Sequence, residues 1–456
     1  MFENIIGQAA AGQLKDDILS VSLAPSMLFF GPAASGKGST ALELARVLSC
    51  ENIDAAWNCP CPSCVRHRSL VHPDLAMIGS RAFAAEIEAS RTAFLRDPAS
   101  LAGRSLFVRS LRKLLGRFSG SVWEYESKGG KVNPLSLLQS LEEELSEFEK
   151  LCESEKAAES GGEALEKLSA SLAKNAFKLE DECVGEAIPI AQVRRAAYWS
   201  RLSPSGRRKT LLIENADRMK DDARNALLKL LEEPPQSLSV ILTAQRRESV
   251  MQTILSRLRP YRFNSRSAQE EQEIIRRVFR DSAAVPEDGT PDSVISRGSP
   301  GLVSAYLDSF TPQPSEKLLP LAAFFVAAVT RSAVVCGRRG GLKEISPGLS
   351  TLGSYCARIA ENSGLGRGED AAGTISTLVS QTSGFEGRSF PRFLLLNLQL
   401  VSQALAHCDS GTDRIRYREI WKKRTEDARS AFVAYNQRPE MALESLFFHL
   451  AQDMAG

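Results

Sequence analysis

Three short, unbroken apolar runs punctuate the chain, at residues 26–30 (Ser-Met-Leu-Phe-Phe), 210–213 and 238–243. Each has the length and composition of a strand buried on both faces, as a parallel sheet requires. Around them the apolar positions recur every three or four residues. Residues 14–22 carry that helical spacing, residues 41–48 alternate as an amphipathic helix, and the second run leads into a helical stretch that Pro234-Pro235 stops. Strands alternating with helices predict an α/β core on a parallel sheet.

Between about 80 and 185 the pattern changes. Leu135, Leu138, Leu141, Leu145 and Phe148 recur at helical steps, Gly161-Gly162 interrupts, and Leu165, Leu168, Leu172 and Leu179 resume. This predicts a helical hairpin inserted into the core, at about 81–185. In its preceding segment Phe107, Leu111, Leu114 and Phe118 share one side of a helix, with Arg109, Arg112, Lys113 and Arg117 available to the other. That basic side fits a solvated face, and it also fits a surface for DNA or a partner. Past Phe263 a charged helix begins near Ala268, a glycine-rich turn at Gly298-Ser299-Pro300-Gly301 precedes another helical stretch, and everything from about 316 onward is helical by pattern. The expected division is an α/β domain at 1–264, a helical lid at 265–313 and an all-helical domain at 314–456.

Composition narrows this picture little. The chain has 456 residues, enough for about three domains. With 43% hydrophobic residues, 25% charged and a net charge of +2, it has neither a strong polyanion-binding signature nor a disordered one, so DNA contact must come from local sites. The N-terminus lacks a basic flank followed by an apolar run, and the most apolar stretch, 318–329, is too short to span a bilayer. A cytoplasmic location and no membrane partner are therefore expected. Nine cysteines without a secretory signal read as free thiols or metal ligands.

The chemistry concentrates where the first run ends. Gly31-Pro32-Ala33-Ala34-Ser35-Gly36-Lys37 fits G-x-x-x-x-G-K in its strand-loop-helix setting, where backbone N–H groups surround phosphate oxygens and the lysine neutralises them. The next residue should offer a hydroxyl to Mg²⁺, but it is Gly38. Ser39 lies one residue on, which turns its side chain by about 100° around the helix. At the end of the second run an active P-loop ATPase carries Asp-Glu, the first for Mg²⁺ and the second to orient the attacking water. Here the pair is Glu214-Asn215; Glu214 can serve the metal with a longer arm, Asn215 cannot act as a base, and Asp217 is expected to point elsewhere. The candidate nucleotide-binding set is Gly31, Gly36, Lys37, Gly38, Ser39, Glu214 and Thr243. The loop fits nucleotide binding, with a glycine turn that no longer holds nucleotide as the alternative; metal-assisted turnover is not expected, and ATP with Mg²⁺ stays open as a ligand.

These motifs resemble those of bacterial DNA polymerase III clamp-loader subunits, AAA+ proteins, and most closely the delta-prime type. The resemblance runs through Phe2-Glu3-Asn4-Ile5-Ile6-Gly7-Gln8, the phosphate loop, a cysteine cluster, His72-Pro73-Asp74, Ile190-Ala191-Gln192-Val193-Arg194, the Asn225-Ala226-Leu227-Leu228-Lys229 run to Pro235, and Thr253-Ile254-Leu255-Ser256-Arg257. It covers residues 1–80 and 186–310 well, rests on residues 436–444 in the C-terminal region, and leaves the segment at 81–185 without a counterpart. It implies a P-loop core, a lid and an oligomerising collar. The implied partners are gamma or tau subunits, the delta subunit, the sliding clamp and primer-template DNA, in a polymerase (nucleotidyltransferase) holoenzyme active in DNA replication. Gamma and tau keep the hydroxyl, the Asp-Glu pair and a lid arginine where this chain has Gly38, Glu214-Asn215 and Gly301, which points to the stationary subunit; a competent gamma/tau-like ATPase is the alternative, and a small-molecule P-loop kinase explains the motifs less well. Arg257 is then the arginine projected in trans into a neighbour's ATP site, although Leu258 follows it where the family usually has Cys.

Cys50, Cys59, Cys61 and Cys64 supply four soft ligands, enough for a closed tetrahedral structural zinc. The family resembled has two residues between the second and third cysteines where this chain has only Pro60, so displacement of one ligand is expected to be possible, with His67 in reserve.

Overall fold

The computed structural model describes residues 1–123, 134–153, 161–185, 187–282, 301–310, 318–341, 345–365, 370–382, 385, 389–408, 410–435 and 437–455. The turn at 298–300 and Asn436, both used above, lie outside the described residues. The chain divides into two compact units, Met1–Pro312 and Gln313–Gly456.

The first unit opens with α1 (Ala9–Leu19), β1 (Ser26–Phe30), α2 (Lys37–Ser49), α3 (Pro62–Arg68) and β2 (Leu75–Gly79). Helices α4 (Ala84–Arg96), α5 (Leu101–Leu115), α6 (Pro134–Glu153) and α7 (Gly161–Cys183) follow, then α8 (Ile190–Arg201), β3 (Lys209–Glu214), α9 (Asp221–Glu232), β4 (Leu238–Ala244), α10 (Gln252–Leu255), β5 (Arg259–Arg262), α11 (Ala268–Val278) and α12 (Leu302–Ser309). The five strands form one parallel sheet in the order β2-β3-β4-β1-β5. Because side chains alternate across a strand, Leu28, Leu211, Ile213, Val240 and Leu242 build the core on one face of the sheet. Met27, Phe29, Met77, Leu212 and Ile241 build the core on the other. An α/β core with helices on both faces follows, as the three apolar runs require. The two strands that the pattern did not single out are the sheet's edges. Pro260 is tolerated in β5 because an edge strand need not donate on its outer side, and its flanking arginines hide the apolar signal.

Helices α4 to α7 form a cluster with its own core, in which Phe94, Phe107 and Phe148 meet edge-on or stacked at 5.2–6.2 Å. The predicted helical hairpin is α6 with α7, and the Gly161-Gly162 break is where α7 begins. The basic side of α5 is neither solvated nor free for DNA. Arg112 donates to Ser69 O at 2.8 Å and to Glu149, Arg109 to Arg68 O, Lys113 to Glu86, and Arg117, in the 3-10 turn that follows, to Glu214. Both sequence readings of that face are thereby corrected: its charges tie the helical cluster to itself and to the sheet.

The second unit is helical among its described residues: α13 (Leu318–Arg339), α14 (Pro347–Asn362), α15 (Ala371–Gln381), α16 (Ser389–Ala406), α17 (Gly411–Tyr435) and α18 (Pro439–Ala455). The apolar stretch expected to end near 329 extends into the 22-residue α13, which by length and composition alone could cross a membrane. Its apolar residues instead form the centre of this unit, where Phe325 meets Phe393, Trp421 and Phe447 edge-on. That is the burial of a core helix.

Candidate functional site

The loop between β1 and α2 holds the phosphate-binding motif. Gly36 precedes α2 in the left-handed region (φ 91°), the conformation for which glycine carries no steric penalty. Lys37 folds back into the loop, donating to Gly31 O at 2.8 Å, to Pro32 O, and to Ser35 Oγ at 3.2 Å. Burial pushes its ammonium down to about 8, against the support of Asp217 first and Glu214 second. Asp217 thus acts on the loop through its charge. Arg266, which no motif flagged, lies across the same loop: Nη1 donates to Ala34 O at 2.8 Å and Nε to Ile6 O at 2.9 Å. A Cβ on Gly36 would come within 2.5 Å of its Nη2. Beside it Gln8 and Asn264 exchange hydrogen bonds at 2.9 and 3.1 Å, fastening the N-terminal segment to the exit of β5.

Glu214 ends β3 next to the loop. Oε1 accepts from Arg81 Nη1 at 3.3 Å and Oε2 from Arg117. Burial alone would raise its carboxyl, and the charges of Arg81, Arg117 and Lys113 outweigh that and hold it below its ordinary value. Asn215 sits in the left-handed region (φ 53°), which asparagine tolerates better than most residues, and is bound on both sides, its N–H to Thr243 Oγ1 at 3.1 Å and its Nδ2 to Ser80 O at 2.7 Å. An amide in that position braces strand ends and is not basic enough to take a proton from water. Thr243 is thus brought to Asn215, and Gly31, Gly36, Lys37, Gly38 and Ser39 to the loop and the first turn of α2. Gly301 opens α12, where Leu302 N–H donates to Glu271 and a Cβ at 301 would meet that carboxylate at 2.3 Å. A side chain at 301 would need the place Glu271 fills.

The four cysteine thiols meet. Their Sγ atoms all lie within 4.8 Å of one another and all four residues are buried. Zn–S bonds of about 2.3 Å in a tetrahedron place sulfurs roughly 3.8 Å apart, and Cys50 and Cys59 are already at 3.7 Å. The shortened spacing displaces no ligand. Pro62 at the first position of α3 and Cys61 as its N-cap fold the tight segment so that Cys61 and Cys64 share one helical turn. The donor set fits zinc, with all four positions supplied by protein. Backbone and Asn52 hydrogen bonds hold the Cys59 thiol down at about 6, so it is ready as a thiolate. Arg46 of α2 donates to Cys64 Sγ at 3.0 Å while pairing with Glu43 at 2.6 Å. His67 is not among the donors that meet: its ring stacks on His72 with centroids 4.0 Å apart, and neither ring nitrogen has a hydrogen-bond partner among the described residues. Asp74 of the His-Pro-Asp motif accepts from Ser205 and Gly206 N–H at 2.9 and 2.7 Å, fixing the approach to β3.

Arg257 follows α10 at the surface. Its Nη2 donates to Glu232 Oε1 at 2.8 Å and its Nη1 to Thr253 O at 2.8 Å, and its side chain is 34% exposed.

Comparison with known proteins bears on the family of the chain. A family model described as DNA polymerase III, delta subunit, matches residues 7–123 and 140–267, together more than half of the chain and including most of the segment at 81–185 expected to lack a counterpart. The DNA polymerase III subunit delta' of Pseudomonas aeruginosa is 36% identical over 110 residues, which are 24% of this chain and 34% of that relative; the match thus spans about a third of the relative's length. A gamma subunit-related protein of DNA polymerase III from Thermotoga maritima, solved as a crystal structure, aligns with 63% of this chain and 90% of its own at 18% identity, with a TM-score of 0.26.

Proposed function

We propose, from the premise that the chain belongs to the DNA polymerase III delta-subunit family, that it is the stationary, delta-prime-like subunit of the loader that places the sliding clamp on primed DNA. In this reading residues 1–264 are the ATPase-like domain, 265–313 the lid and 314–456 the collar, and the partners are gamma or tau subunits, delta, the clamp and primer-template DNA in the cytoplasm. The chain contributes a scaffold, a structural zinc and Arg257, whose guanidinium would stabilise charge on the phosphoryl group transferred in a neighbour's site. Gamma or tau would do the hydrolysis.

The observation that carries the reading is the state of the chain's own site. Three groups that hydrolysis requires are replaced at once, by Gly38, Asn215 and Gly301, and two of those places are hemmed in by Glu214 and Glu271. Steady-state ATP hydrolysis by the isolated chain tests it. Negligible turnover is expected; a rate on the order of 1 s⁻¹, ordinary for enzymes, would favour a competent gamma/tau-like ATPase.

A further inference from the structure

A carboxylate at the end of a central strand beside a phosphate loop is the natural oxygen ligand of Mg²⁺, which demands octahedral room at about 2.0–2.1 Å and keeps several waters. In this chain that carboxylate is already engaged. Each oxygen of Glu214 accepts from a guanidinium, Oε1 from Arg81 at 3.3 Å and Oε2 from Arg117. The Arg117 side chain is only 2% exposed and that of Glu214 11%. Both guanidiniums lie over the ring of Phe83, at 4.8 and 5.5 Å from its centroid, and Arg81 is held from its far side by Glu86. The pair is a built arrangement and not two surface side chains drifting onto an acid. The carboxylate also fills the room on the loop side: Oε1 would be 2.9 Å from a Cβ on residue 38. Gly38 is thus the residue that lets Glu214 lie where the arginines hold it, and the lost hydroxyl and the arginine pair are two parts of one arrangement.

We infer that Arg81 and Arg117 are the resident cations of this site: they occupy the position beside Glu214 that a divalent metal takes in a P-loop hydrolase, and they make the site metal-independent while fastening the α4–α7 helical cluster to the sheet. This rests on the phosphate-loop geometry alone and not on the subunit assignment. Two positive charges within reach of the carboxylate repel a dication and engage one lone pair on each carboxylate oxygen. Any nucleotide the loop takes is taken without metal.

The test uses the full chain with Mn²⁺ as a spin probe for the oxygen-ligand seat, in the presence of ATP, and ATP titrations with Mg²⁺ or with EDTA. The wild type is expected to bind no Mn²⁺ at this seat, and its ATP affinity, at whatever level, is expected to be the same with Mg²⁺ as with EDTA. The Arg81→Met/Arg117→Met variant is expected to gain one Mn²⁺, lost again when Glu214→Gln is added. Stoichiometric Mn²⁺ in the wild type that Glu214→Gln removes, or ATP affinity raised about tenfold by Mg²⁺, would overturn the inference. So would a folded double-arginine variant that gains no Mn²⁺. If the double variant does not fold, Arg81→Met, at the more exposed of the two positions, is read in its place: weak Mn²⁺ binding that depends on Glu214 supports the inference, and its absence contradicts it. These outcomes are separable from the functional reading, since a metal-binding chain could still be a loader subunit and a metal-free one need not be.

Discussion

At the scale of single residues the consequences are steric and electrostatic. Gly38→Ser should not restore activity; its Cβ would crowd Glu214 Oε1 at 2.9 Å, and because that oxygen is pinned the strain should cost about 1–3 kcal/mol, read as a lower Tm. Full ATPase in Gly38→Ser/Asn215→Glu would contradict the account and show that Gly301 and the arginines are irrelevant. Glu214 also sets a pH dependence. Its folded-state pKa lies below the unfolded one, so on acidification the unfolded chain takes the proton first. The stability it contributes is therefore present above the usual carboxylate range and lost as pH falls through that range towards the depressed value. Glu214→Gln should flatten this acid limb and, by leaving two arginines without their counter-charge, cost roughly 3–5 kcal/mol at neutral pH; urea melts between neutral pH and pH 4 would show both. The loop, Glu214-Asn215 and the cysteines were legible in the sequence because each is a local motif. Arg81, Arg117 and Arg266 were not, since only folding brings them across 97 to 260 residues of chain to their partners, and an arginine without a motif looks like surface.

At the scale of elements the apolar runs predicted β1, β3 and β4; the arginines of β5 interrupt its apolar signal, while β2 carries an apolar run as short as that of β1 without a motif at its end to single it out. The basic side of α5 shows the limit of helical-face reasoning: periodicity separates Phe107 and Leu111 from the cations, but what the cations meet is set by α3, α4, α6 and β3. The cysteine knuckle is the element with the clearest test. Metal analysis should give one zinc per chain. Removing it should loosen residues 50–64, since binding free energy at such a site is folding free energy. Four thiolates leave a bound Zn²⁺ with excess negative charge, which Arg46 is placed to offset from 3.0 Å. Arg46→Met should then lower zinc affinity about 10–100-fold in chelator competition; unchanged affinity would make Arg46 merely a brace for Glu43.

At the scale of the whole molecule, the first unit is matched by the family model and the second is a six-helix body among its described residues, organised around α13. The proposed role puts the chemistry of this chain at its boundary with a neighbour, since its own site lacks the groups for hydrolysis and Arg257 is the group on offer. Its present contacts are an exposed ion pair with Glu232 and bonds within its own turn, and such pairs are worth about 0–1 kcal/mol, so Arg257→Ala should leave folding and assembly unchanged. An arginine supplied in trans can be worth about 10³–10⁵ in turnover at one site, though sites with their own arginines would keep part of the bulk ATPase. Clamp loading needs the sites together and is the most direct readout. A reconstituted, correctly assembled loader carrying Arg257→Ala is predicted to lose most of its clamp-loading rate, and loading at the wild-type rate would contradict the account.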